Sequence, residues 1–205
     1  FKHGMFVALF ATFFVFHGDA NVSLAENDEQ LLKSAVGKLN DADPWVRVEA
    51  VRVVGNSGKK QYLPLLYKKL WDEHIDVNLE SVKAIEKIRD NDSFNKLMSA
   101  VLMHEISSVR YYALRAAYRL DKENTKKHLR TWLQSGQKPL VLRALEGFSH
   151  LHDLCDYKDS EVLSHVIKAV AKEPNKEAAG KMDEMLQQVL GVSHKEDPRE
   201  WPAWL

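Results

Sequence analysis

His150-x-His152-x-x-Cys155 brings two imidazoles and the chain's single thiol close together, the donor types a zinc or other soft metal takes. On a helix, residues two apart face different directions, so the two rings converge on one ion only if the helix ends between them. There is no second His or Cys cluster in register, so the segment reads as solvent-facing histidines beside a half-buried Cys155, and no metal site is assigned. One cysteine also excludes a disulfide within the chain; any disulfide would join two molecules. Gly55-Asn56-Ser57-Gly58-Lys59-Lys60 has the outline of a phosphate loop but lacks its spacing and follows a helical pattern rather than a strand. It is read as a turn closed by a left-handed glycine cap. Gly-x-Ser-x-Gly, His-Glu-x-x-His and Cys-x-x-Cys-His do not occur, and the carboxylates are scattered along helix faces. No catalytic residue and no cofactor is assigned, and a non-enzyme is expected. Asn91-Asp92-Ser93 is a formal glycosylation acceptor, expected in a loop.

Recognition is the chemistry that remains, and the elements that must position it are repeats. Asp43-Pro44-Trp45-Val46-Arg47-Val48-Glu49-Ala50 opens a helix with an acidic cap and a first-turn proline. Degraded copies align Val46, Val77, Val109 and Leu140, at intervals of 31, 32 and 31 residues. Four residues on stand Ala50, Ser81, Ala113 and Ala144, small enough for helices to approach closely, and then Val51, Val82, Leu114 and Leu145. Seven residues before each opening position lie Leu39, Leu70, Leu102 and Leu133, preceded by Ala35, Leu66, Met98 and Leu129. Each unit is therefore two amphipathic helices, A and B. A less regular fifth pair runs from about Ser160 to Leu190. One pair cannot hide its apolar face alone, and a buried Leu is worth roughly 1.5–3 kcal/mol, so the units must stack into a quasi-one-dimensional array.

The pattern resembles HEAT repeats of the compact bacterial kind, whose Asp-x-x-Val-Arg-x-x-Ala signature is met by Asp43, Val46, Arg47 and Ala50. The third unit keeps Val109, Arg110 and Ala113; the second has Asn78, and the fourth Val141, where the signature has Arg. The resemblance implies an all-α, right-handed α-solenoid of about five helix pairs, with the signature Asp and Arg tying successive turns together. It also implies that the B helices line the concave side. Residues three, six and ten past each opening position would then face a groove: Glu49 and Arg52; Glu80, Lys83 and Lys87; Tyr112, Arg115 and Arg119; Arg143, Glu146 and His150. Arg and Tyr combine large contact area with directional hydrogen bonds, so this stripe is the candidate partner-binding surface. The tail carrying Trp201 and Trp204 is similar to the closing segment of secreted bacterial HEAT proteins and would cap the last repeat.

The uncharged apolar run from Met5 to Phe16, preceded by Lys2 and followed by Ser23-Leu24-Ala25, reads as a secretory signal cut after Ala25. It is shorter than the roughly 20 residues of a stable span, so no membrane span is expected once it is cleaved. The expected organisation is a signal peptide over 1–25, a repeat domain over 26–195 and a capping tail over 196–205. Twenty-nine basic and 29 acidic residues balance to a net charge of +0, against a general nucleic-acid binder. The function expected is an exported, periplasmic or secreted scaffold or adaptor that holds a protein or peptide with an acidic segment. The alternatives are an enzyme of the HEAT-like bilin lyase or DNA glycosylase type and a purely structural envelope element.

Overall fold

The computed structural model describes residues 16–151, and within them the chain is all-helical. The helices are α1 (Phe16–Lys38), α2 (Pro44–Asn56), α3 (Leu63–Lys69), α4 (Ile75–Ile88), α5 (Asn91–Met103), α6 (Ser107–Leu120), α7 (Lys122–Gln134) and α8 (Lys138–His150), with a short 3-10 turn at Lys60–Tyr62. They pack in consecutive pairs, each odd-numbered A helix against the B helix that follows. The body of the apolar N-terminal run, the fifth pair, His152, Cys155 and the Trp201/Trp204 tail lie outside the described residues. α1 continues unbroken through Ser23-Leu24-Ala25. No helix among the described residues is long and apolar enough to cross a membrane.

Local signals set the helix ends. The Asp43 carboxylate accepts the Trp45 N–H at 2.8 Å and Pro44 opens α2, while Asp121 caps α7 through the Asn124 N–H at 3.0 Å. At α5, Asp90 accepts from the Asp92 N–H, and the Ser93 hydroxyl accepts from the Asp90 N–H, a reciprocal capping box. Asn91-Asp92-Ser93 is thus the first turn of a helix rather than a loop, and its serine is buried and already engaged.

The small-residue column Ala50, Ser81, Ala113, Ala144 and the column Val51, Val82, Leu114, Leu145 are buried throughout. Ala35, Leu66, Met98 and Leu129 are buried too, as are Leu39, Leu70 and Leu133. Leu102 departs from its expected place. It is only half-buried, and Val101, 31 residues after Leu70, takes the core position, so the extra residue of the 32-residue interval falls after Val101.

The Gly55-Asn56-Ser57-Gly58 stretch does close α2 with a left-handed glycine: the helix ends at Asn56 and Gly58 has φ 66°, while Gly55 lies inside the helix. Gly55 serves packing instead: a Cβ there would collide with the Cβ of Ala84 and stand 2.9 Å from its Cα. Gly55→Ala gains helix propensity, about 1 kcal/mol, but must force α2 and α4 apart, an overpacking cost of about 1–3 kcal/mol. We expect a net loss of about 1 kcal/mol in urea denaturation, largely restored by adding Ala84→Gly; additivity of the two changes would refute the contact.

Candidate functional site

α2 rests directly on α4 and α4 on α6, whereas neighbouring A helices barely touch one another. A row of pairs held closer on the B side bends toward that side, so the B helices form its inner face. Across that face the expected stripe residues are cross-linked. Arg52 reaches Glu49 at 2.6 Å on its own helix and Glu80 at 3.3 Å on the next, Lys83 reaches Glu80 at 3.2 Å, and Lys87 donates to Asn56 Oδ1 at 2.9 Å. Arg119 pairs with Glu86 at 3.1 Å, an acid the periodic reading passed over because it lies nine residues past Val77. The cations of these pairs are about half exposed or more while Glu80 and Glu86 are largely covered, so each pair contributes about 0–1 kcal/mol and the cation side stays open to solvent.

Further along, Tyr112 is 46% exposed and meets Tyr111 edge-on at 5.0 Å. The Arg115 guanidinium lies over the Tyr111 ring at 5.4 Å, and His150 meets the same ring edge-on at 5.0 Å. Tyr111, Tyr112, Arg115 and His150 thus form one cluster bridging α6 and α8. Among the described residues no His/Cys/Asp/Glu group is arranged to hold a metal ion.

Glu146 and Arg143 have a different setting from the open ladder. Arg110 grips Glu146 through Nε at 3.0 and 3.1 Å and Nη2 at 2.6 Å, Arg143 adds a bond at 2.9 Å, and His150 stands 3.8 Å away. Burial pushes the Glu146 carboxyl up, but His150, Arg110 and Arg143 outweigh it and hold the group at about 2. Arg143 also donates to the Leu102 carbonyl at 3.1 Å, which ties α8 back to α5.

The signature arginines act at the A–B turns. Arg47, 5% exposed, places Nε and Nη2 on the buried Asp72 carboxylate at 2.8–3.2 Å. Its Nη1 donates to the Asp41 and Ala42 carbonyls at 2.8 and 3.1 Å. The first turn is thereby riveted to the second, whose Asp72 also accepts the His74 N–H and Lys69. Burial raises the Asp72 carboxyl, yet Arg47, the His74 N–H and Lys69 together keep it below the ordinary carboxylate value. Where Asn78 replaces the arginine, His104 spans the gap. Its Nδ1 accepts the Ile106 N–H at 3.1 Å, so the proton sits on Nε2, which donates to the Leu70 carbonyl at 3.0 Å with Asn78 3.5 Å away. Burial, together with Arg110 nearby, holds His104 below its usual value and therefore neutral.

The stacked pairs, the small-residue columns and the arginine between turns now stand together. Residues 32–104, from α1 to the turn after α5, match the family model for HEAT repeats. This span is made of HEAT repeats. The eight helices continue the same pairing as an α-solenoid beyond the matched HEAT repeats, through α8. No curated protein matches the chain. HEAT repeats generally mediate protein interactions, and the inner B-helix face is where these repeats present their solvent-open cations and exposed tyrosine.

Proposed function

We propose that the protein is a non-enzymatic scaffold or adaptor, exported to the periplasm or beyond, that holds a protein or peptide partner along its B-helix face. The observation that carries this reading is the placement of Tyr112, half-exposed, on the same helix as Arg119, with Tyr111, Arg115 and His150 packed beside it. An aromatic-and-arginine centre rimmed by ion pairs whose cations stay open to solvent is the composition of a binding hot spot. The cations along α4 and α6 favour a partner with an acidic segment. Export rests on the Met5–Phe16 run and the small residues of Ser23-Leu24-Ala25. Affinity capture from the exported fraction, with the wild type and with Tyr112→Ala/Arg119→Glu, tests the assignment. The variant is expected to lose the wild type's partners by about tenfold or more in recovered amount, as removal of two hot-spot side chains implies. Equal recovery by the two would place the binding surface elsewhere.

A further inference from the structure

The edge of the stack built by the A–B turns carries a second surface, different in chemistry from the B-helix face. Trp45 is 62% exposed, Trp71 49% and Met103 65%, with Ile75 beside them. Trp45 packs edge-on against His74 at 5.4 Å, and Trp71 stacks on His104 at 5.0 Å with planes 26° apart. Each of these contacts passes from one repeat to the next, and Ile75 and Met103 are the chain neighbours of the two histidines, so the apolar strip runs over three repeats. Each indole touches a histidine of the next repeat, and Trp45 also borders a cavity between α1 and α2.

Within the turns that build this strip the fixed charge has one sign. Segments 41–46, 71–76 and 103–108 contain six carboxylates and no lysine or arginine. Arg47 and Arg110 are buried and Lys69 is largely covered on Asp72, while Lys38 and Lys68 stand exposed at the ends of α1 and α3, Lys38 lining a cavity with Trp45. Asp41, Asp43, Glu73, Asp76 and Glu105 reach solvent, Glu73 touching Arg47 through one oxygen at 3.1 Å and Asp76 standing 3.7 Å from His74.

We propose that this edge is a docking surface for a cationic peptide segment, whose arginine or lysine groups lie over the open faces of Trp45 and Trp71 and bond to the surrounding carboxylates. Tryptophan is the best aromatic acceptor of a cation, and the methylene stems of Lys and Arg cover apolar surface while their heads stay polar. An uncharged apolar partner would strip water from the carboxylates without pairing them. A second copy brought up edge to edge would set like charges against each other.

The full chain is titrated against a short fluorescein-labelled peptide of alternating arginine and glycine, read by fluorescence anisotropy. Saturable binding is expected, weakened about tenfold in Trp45→Ala/Trp71→Ala, and weakened with a shallower salt dependence in Glu73→Gln/Asp76→Asn. Tyr112→Ala, on the other face, is expected to bind as the wild type does. The second double variant keeps both indoles, so it decides the matter should the first fail to fold by circular dichroism. No binding by the wild type, or equal binding by the wild type and a folded tryptophan variant, would overturn the proposal. Concentration-dependent association in sedimentation that the tryptophan changes abolish would also overturn it, by placing a second copy on the strip.

Discussion

Arg47→Ala is expected to cost about 3–5 kcal/mol, because it leaves the Asp72 carboxylate buried without its principal partner and orphans two turn carbonyls as well. Deleting both charges is gentler than deleting one. Arg47→Met with Asp72→Leu removes the desolvated charge along with its counter-ion, and should recover much of the loss. Arg52→Ala, on an exposed pair five residues further along the same helix, is the control and should stay within about 0.5 kcal/mol of the wild type. Urea denaturation of the three variants distinguishes the cases. If Arg47→Ala were no worse than Arg52→Ala, the turn-to-turn rivet would carry no weight in the stack.

Glu146→Gln should destabilise the protein by about 2–3 kcal/mol at neutral pH, and that deficit should vanish in acid. The folded carboxyl sits at about 2 against an ordinary value of about 4.3 when unfolded, so folding favours its ionised form. The stabilisation from such a depressed group is complete above the unfolded value and disappears as pH falls toward the folded one. The difference in urea midpoint between wild type and Glu146→Gln should therefore be constant above about pH 5.5 and shrink steadily below it. Asp72, shifted the same way, is present in both proteins and cancels in the difference. A gap that kept its size from pH 7 to pH 3 would show that Glu146 acts through shape and not through charge.

Periodicity carried most of the architecture. Ala50, Ser81, Ala113 and Ala144 recur at one buried position of every B helix, and a repeated small side chain at a packed position shows plainly in a primary sequence. Leu102 leaves its column because the interval between B helices lengthens to 32 there while the A helix keeps 31, from Leu70 to Val101. The left-handed end of α2 shows in Gly55-Asn56-Ser57-Gly58, but only the neighbouring helix reveals that the missing side chain of Gly55 makes room for Ala84. The signature made Arg47 visible, but its acceptor Asp72 lies 25 residues away without any local mark. His104 was hidden for a similar reason: a histidine in a turn reads as surface until the Leu70 carbonyl appears beside it. Of the stripe, the exposed ladder from Glu49 to Lys87 follows from helical spacing alone. The different setting of Glu146 follows from Arg110, which reaches it across 36 residues.

The three junctions between the four described pairs are not bridged alike. Ion pairs hold the first through Arg47 and the third through Arg110, whereas the second is bridged by neutral groups, the His104 bond to the Leu70 carbonyl, the Trp71–His104 stack and the Tyr67–Ser93 hydrogen bond, with the Arg119–Glu86 pair on the inner side. Compliance in such a chain of modules concentrates where no buried ion pair crosses, here between α4 and α6. The two ends would swing about that joint as blocks, changing the spacing of α4 and α6 while both salt-linked junctions keep theirs.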